Sequence, residues 1–507
     1  MKKIILKYKY YLILIFVIVL TKSVYSSGFG FNLVDEGEYL HNALRILNGD
    51  VPYRDFFSYQ PPLYNYWNIL AFKLLGISPF SARLVNSIFF SFVPVIFFLI
   101  TIRFSDKLTT FVISIAFSFM VVNMESLYYH VFSFLGLFLF FWAKDQSKNK
   151  LFFSGALLGI TALFRLDVGT LFFIGLIVGS LVDNFRNGSF LKGLKENSLF
   201  FVGFCLPIFL MLTWMVENDL LHRFIRIQLD TPLQITSYNS LPLPKIREII
   251  PGNLNPSTLF HSYETYVFYI ILLTYFSFGV WLFKNWKKVR SSNQELIYFS
   301  VIAAISAPYM LGRADLGHIV KGGLAAFSIG AFLISRSGNL RRYLMFVPIS
   351  FIVVGIAQVY WTSNFYNELV ETNNGAIKLN RKWPVGTTLI SAGTITKAIN
   401  FIEENSNPSD TILVAPYMPG LYFLSNRQAK IYVGNILYTY LPDESEFIRE
   451  LSEKNVRLIV YDPTNGSRNR YGAMKLRSYY PKLDSYIKEN FSIVDTSYEG
   501  WLFMLRR

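Results

Sequence analysis

The chain is a series of long apolar runs broken by short polar segments. Twelve runs reach or approach the ~20 residues a helix needs to cross the hydrocarbon core of a bilayer. They lie at 9–25, 64–80, 84–102, 108–124, 127–143, 151–165, 168–183, 198–216, 265–283, 296–311, 319–335 and 343–361. The run 64–80 carries Lys73 near its middle and Pro79 close to its end. Its Trp and Tyr suit headgroup depth, so it reads as an interfacial helix. Eleven spans remain. The first, with basic residues ahead of it and small ones after, also has the form of a secretory signal peptide. Tyr and Lys crowd the would-be cleavage site, so it reads as a retained span, and either reading places residue 30 outside.

Beyond residue 361 the pattern changes. Short apolar stretches bounded by turn residues, at 410–416, 456–462 and 492–497, alternate with helix-like stretches at 394–405, 444–454 and 482–490. That alternation predicts a small α/β domain. The expected organisation is therefore a mostly α, polytopic membrane bundle over 1–361 and a soluble α/β domain over 362–507. No internal repeat or low-complexity tract interrupts it.

Composition agrees. Residues AVILMFWYC make up 52% of the 507, FWY 18% and DEKR only 16%, and mean hydropathy is +0.36. Soluble domains carry about a quarter charged residues, so this chain has too few for so much globular surface. The lone Cys205 excludes a disulfide framework and a thiolate zinc cluster. A net charge of +15 would suggest nucleic acid in a soluble protein. Here its distribution matters more. With the N-terminus inside, the inner segments hold 19 basic residues against five acidic, and the rest of the chain is close to neutral. Lysine and arginine collect in cytoplasmic loops, so the N-terminus is expected in the cytoplasm. Residues 26–83, 217–264 and the tail are then expected outside, and no nucleic-acid partner is implied.

Candidate chemistry concentrates in the first outer segment, VDEGEYLHNALRILNGDVPYRDFFSYQPPLYNYW (34–67). Asp35 and Glu36 would diverge by about 100° on a helix, so at most one aims squarely at a reacting group. Two compatible roles stand open for Asp35. One is a base or metal-contacting carboxylate. The other is an N-cap with Glu38 as its N3 partner, opening an amphipathic helix through Leu40, Ala43, Leu44 and Leu47. Further ionisable groups sit at span ends: Arg165 and Asp167 in FRLDVG, Arg313, Asp315 and His318 in GRADLGH, Glu125 and His130 in NMESLYYH. Charges at membrane depth pair or line polar cavities, and arginine's planar fork also suits phosphate. No HxxxH or HExxH spacing accompanies His130 or His318, so neither reads as a metal ligand.

The 34–67 stretch, its continuation LLGISPFSARLVNSIF (74–89) and GALLGITALFR (155–165) resemble a GT-C-type glycosyltransferase of the protein O-mannosyltransferase/ArnT-like superfamily. That family shares an Asp-Glu pair just after the first span, a downstream PPL, an Arg opening the next span (here Arg83) and an outward C-terminal domain. The resemblance implies sugar transfer from a polyprenyl-phosphate donor to a glycan, lipid or protein acceptor on the outer face, with inversion at the anomeric carbon. It implies that Asp35 takes the acceptor proton and that Glu36 is the second member of the pair. Where many members have an Asp at the start of the fourth span, this chain offers Glu125 or His130, with Asp167 and Asp315 as further acceptor-side candidates. Some relatives use a divalent metal, so one is a possible cofactor; no other is implied.

The departing phosphate needs preorganised positive charge. Arg54, Arg83, Arg165, Arg313 and His318 are the outward candidates, Arg165 and Arg313 foremost. Tyr59, Tyr64, Tyr66 and Trp67 are candidates for a sugar pocket or, alternatively, for an aromatic belt. The resemblance places the protein among membrane lipids, in a bacterial inner membrane. Two other classes use similar parts: a flippase or transporter for lipid-linked sugars, and a non-catalytic assembly subunit on the same fold. Polar groups clustered at one face, without inverted repeats, favour the transferase.

Overall fold

A computed structural model describes all residues except 1, 121–126, 144–147, 186–196, 240, 255, 293, 366–368, 372–376, 380–382, 386–387, 391, 417, 435, 437–443 and 464–479. The chain divides into two compact units, one of residues 1–24, 86–214 and 239–359, the other of residues 25–85, 215–238 and 360–507.

Helices α1 (Lys2–Ser27), α2 (Asp35–Leu47), α3 (Pro62–Leu75), α4 (Pro79–Thr101), α5 (Lys107–Met120), α6 (His130–Ala143), α7 (Lys148–Phe164) and α8 (Leu166–Phe185) open the chain. Among the described residues six helices are long and apolar enough to cross a membrane: Lys3–Ser27, Pro79–Thr101, Ser198–Glu217, Thr258–Trp286, Glu295–Gly312 and Gly338–Tyr360. Leu316–Gly322 and Leu324–Ser335, bent by 63°, pass the same test as a pair. Four shorter apolar helices, Lys107–Met120, His130–Trp142, Asn149–Phe164 and Leu166–Val182, complete the set. Each of the eleven expected spans contains one of these elements.

Small residues let the helices of the first unit approach. A Cβ on Gly155 would lie 2.0 Å from the Phe200 carbonyl oxygen, and one on Gly203 would lie 2.1 Å from that of Phe152. The G-A-L-L-G run of α7 is thus a groove for the helix Ser198–Glu217, the small-xxx-small packing that lipid-embedded helices favour. Aromatic rings fill the rest, with Phe97 stacked on Phe117 at 5.7 Å and Phe173 on Phe204 at 3.9 Å.

The second unit is built on a four-stranded sheet in the order β5-β6-β8-β7, with β5 Ile412–Ala415, β6 Leu458–Tyr461, β7 Phe491–Thr496 and β8 Leu502–Arg506. Strands β5 and β6 are parallel, and the β6–β8 and β8–β7 pairs antiparallel. Two short antiparallel pairs precede it, β1 (Leu369–Glu371) with β2 (Ile377–Leu379), and β3 (Trp383–Val385) with β4 (Thr388–Ile390). Strands β5, at one edge, and β6 beside it are wholly buried, as continuous apolar runs should be. The helices Ala392–Asn405, Glu444–Glu453 and Pro481–Asn490 fall where the sequence pattern places them.

The sequence draws a single boundary near 361, whereas packing groups residues 25–85 and 215–238 with the tail. One core contains Phe31, Leu33, Leu40 and Leu44 together with Leu413, Val414, Leu421 and Tyr422. The apolar face of α2 is therefore satisfied by the C-terminal sheet region. Helix α3 also departs from expectation. Tyr64 and Trp67 are buried in this unit, and the exposed apolar positions are Leu70, Leu74, Leu75 and Ile77. The two aromatics serve a protein core and are not a headgroup belt.

Candidate functional site

Helix α2 begins with a loop held by Asn32. Its Oδ1 accepts from the amides of Val34 (2.9 Å) and Asp35 (3.2 Å), the bond pattern by which Asn mimics a backbone turn. Glu36 completes the arrangement by accepting from the Asn32 amide at 3.1 Å. The expected Asp35–Glu38 capping box is thus replaced by an Asn32–Glu36 pairing. Asp35 is exposed in the first turn.

Glu36 points the other way. Its two carboxylate oxygens accept from Nε and one terminal nitrogen of Arg83, at 2.5 and 2.7 Å. The same guanidinium donates to the carbonyls of Ser27, Phe29 and Gly30. Both side chains are nearly buried, 4% and 11% exposed. A bidentate, desolvated pair of this kind is a structural clamp. Arg83, an expected phosphate ligand, is committed to Glu36 and the 27–30 backbone, and the Asp-Glu pair divides into one exposed and one structural carboxylate.

Beside Asp35 lie tyrosines. The hydroxyls of Tyr39 and Tyr59 are 3.4 Å apart, and Tyr39 packs edge-on to Tyr64 with ring centroids 4.5 Å apart. Burial raises both the Tyr39 and Tyr59 hydroxyl pKa values, and the charges of Asp35 and Glu38 raise them further. Both therefore remain protonated donors next to carboxylates. Gln228 fixes this segment by donating to the Tyr59 carbonyl at 2.7 Å. Tyr39, one turn along α2 from Asp35, is the site residue that sequence reasoning missed; its i, i+4 relation to Asp35 was the available signal. Arg54 is exposed and its fork is taken by Asp55 at 2.8 Å, so its expected phosphate role has no support in the geometry.

The first unit gathers a second set. Arg165 grips Asp167 with two hydrogen bonds, at 3.0 and 2.7 Å, and the Tyr309 hydroxyl donates to the same carboxylate. Arg313 meets Asp315 at 2.5 Å. Asp315 caps the helix Leu316–Gly322 by accepting from the His318 amide, and its Oδ1 lies 2.8 Å from His318 Nδ1. Lys321 is a charged neighbour of Asp167, His130 and His318, so the two Arg–Asp pairs belong to one electrostatic cluster. Lys321 was hidden from sequence reasoning inside an apolar run, although a lysine in such a run is itself a signal. His130 is buried, with Nδ1 3.2 Å from the Ser133 hydroxyl. Glu125 lies outside the described residues. Among the described residues no group of three or more His, Cys, Asp or Glu side chains could hold a metal ion.

A multi-pass helical bundle joined to a mixed-sheet unit that carries the acidic loop helix is the architecture of the GT-C class of membrane proteins. Full-length likeness to solved structures bears this out. The chain superposes on ArnT from Cupriavidus metallidurans bound to undecaprenyl phosphate with a TM-score of 0.57 at 12% identity, over 97% of each chain. It superposes on the archaeal oligosaccharyltransferase AglB from Archaeoglobus fulgidus, in complex with an inhibitory peptide and a dolichol-phosphate, with a TM-score of 0.51 at 11% identity, over 98% of this chain and 74% of that one. At such identities the likeness establishes the fold. No protein-family model and no curated protein matches the sequence.

Proposed function

We propose that this protein is an inverting glycosyltransferase that moves a sugar from a polyprenyl-phosphate carrier to a hydroxyl-bearing acceptor at the outer face of a bacterial inner membrane. The observation that carries the reading is the split of the acidic pair. Glu36 is consumed by Arg83, while Asp35 stays exposed at a helix N-terminus beside two protonated tyrosine hydroxyls. A carboxylate so placed can accept a proton from an incoming hydroxyl, and the tyrosines can donate to sugar oxygens.

In the reaction, the Asp35 carboxylate takes the acceptor's hydroxyl proton as that oxygen bonds to the anomeric carbon. The bond from the anomeric carbon to the phosphate oxygen breaks, and the lipid phosphate leaves with the electron pair. One displacement inverts the configuration. Within the first unit, Arg165, Arg313 and Lys321 are cations of the kind a lipid phosphate needs, with Asp167 and Asp315 holding the arginine forks in place. A lipid-linked donor and a glycan, lipid or protein acceptor are the implied partners.

The test is product formation by purified protein given a panel of undecaprenyl-phosphate-linked sugars, read by mass spectrometry. Asp35→Asn should lower transfer by about 10²–10⁴-fold, the usual contribution of a general base, with donor binding retained. Transfer at the wild-type rate by this variant would remove Asp35 from the role. Movement of the lipid-linked sugar across the bilayer without a new glycosidic bond would replace the transferase reading with a flippase.

A further inference from the structure

Beside its apolar face, helix α2 meets the C-terminal part of its own unit along a further stripe. Gly37, His41 and Arg45 are four residues apart, so they lie on one face over successive turns. At Gly37 the two backbones meet: a Cβ there would be 2.3 Å from Gly420 Cα and 2.4 Å from Gly420 N. The Gly420 amide donates to the Leu33 carbonyl at 2.7 Å. A Cβ on Gly420 would in turn lie 2.8 Å from the Phe31 ring and 2.9 Å from the Leu33 backbone. One turn on, the His41 ring stacks on Tyr422, centroids 4.8 Å apart and planes 22° apart, and its Nε2 accepts from the Ala429 amide at 3.4 Å. Tyr422 is itself fixed to the central sheet, its hydroxyl accepting from the β5 amide of Val414 at 2.8 Å. Two turns on, Arg45 donates to the Ile431 carbonyl at 2.8 Å.

The geometry points to this stripe as the device that sets the position of Asp35: Gly37, His41 and Gly420 are positioning residues, and the segment around 420–431 registers the base-bearing helix for the reaction. The inference rests on the reading of Asp35 as the base. Arg83 already holds α2 by Glu36, so the helix has an anchor without the stripe. What the stripe adds is a second bearing, two residues from Asp35, at a distance only glycine allows. A helix moves as a rigid body, and misplacing a reacting group by about 1 Å costs on the order of 10²-fold in rate.

The test compares Gly420→Ala, Gly37→Ala and Asp35→Asn in the full-length protein, using the same undecaprenyl-phosphate sugar panel together with amide hydrogen exchange. Both glycine variants should lower kcat by about 10- to 100-fold while the donor KM stays within about threefold. Exchange should quicken at α2 amides 36–41 and stay unchanged in β5, β6 and β8. A wild-type kcat alongside quickened exchange, or a donor KM that rises in step with the loss of kcat, would overturn the positioning role. If the glycine variants do not fold, His41→Phe removes the acceptor for the Ala429 amide while keeping a ring on Tyr422, and His41→Gln restores an acceptor. Positioning requires kcat to fall in the first and recover in the second at constant donor KM; equal rates in both would sink it. Asp35→Asn separates the two claims. Full activity in that variant defeats the base assignment, whereas its loss beside fully active glycine variants defeats the stripe alone.

Discussion

A carboxylate's neighbours decide its task, and Asp35 and Glu36 are a direct comparison. They are adjacent on one helix, yet Glu36 takes two of the five hydrogen bonds Arg83 makes and Asp35 is exposed. Glu36 and Arg83 are buried charges whose desolvation is offset only by each other and by the carbonyls of 27–30. Removing one partner leaves the other uncompensated, a loss of about 3–5 kcal/mol for pairs of this kind. Glu36→Gln should therefore lower the thermal unfolding midpoint of the detergent-solubilised protein substantially. Pairing it with Arg83→Met should recover part of that loss, because no buried charge is then left alone. If Glu36→Gln abolished transfer with the melting temperature unchanged, Glu36 would be acting on substrate and the clamp would be the wrong description.

Elements show which features a linear pattern can carry. Apolar run length and turn signals located the eleven apolar segments and strands β5, β6 and β7, since length and composition report burial directly. Partnership was less legible. That α2 packs on Gly420 and Tyr422, nearly four hundred residues away, depends on a glycine pair whose sequence looks unremarkable on either side. Lys321, one turn beyond His318, becomes a charged neighbour of Asp167 only in the folded bundle. The motif GALLG was visible as a family-like run, but its physical use appeared with the Ser198–Glu217 helix lying across it. That use makes a prediction. Gly155→Leu must push a side chain into the Phe200 carbonyl, which a Cβ alone would approach to 2.0 Å. Overpacking of this sort costs about 1–3 kcal/mol or more, so the variant should melt earlier or be poorly recovered in membranes. Gly252→Leu is the control, since a Cβ there meets nothing within 4 Å. Equal stability of the two variants would mean that the helices are not in close contact.

At the scale of the whole molecule, the question is which side of the membrane the acidic helix and the tail occupy. The answer comes from where lysine and arginine sit along the chain. If the N-terminus is cytoplasmic, eleven spans carry the tail to the opposite side, and the inner segments collect 19 basic residues against five acidic. Reversing the orientation would move those 19 to the outside, against a bias that governs short loops and the flanks of spans. A polyprenyl-phosphate donor presented on the outer leaflet would need the base on that same side, so the orientation and the proposed chemistry stand or fall together. Fusing alkaline phosphatase, active only outside the cytoplasm, after Arg507 should give active enzyme in a bacterial host. The same reporter placed in the 186–195 segment should be inactive, and green fluorescent protein should show the reverse at both sites. A fluorescent C-terminal fusion would put Asp35 on the cytoplasmic face if the span count between them holds. A third reporter after Asn48, expected to be active as phosphatase, fixes the side of α2 independently of that count. An inactive phosphatase at Asn48 would therefore remove the outer-face reaction whatever the C-terminal fusion reports.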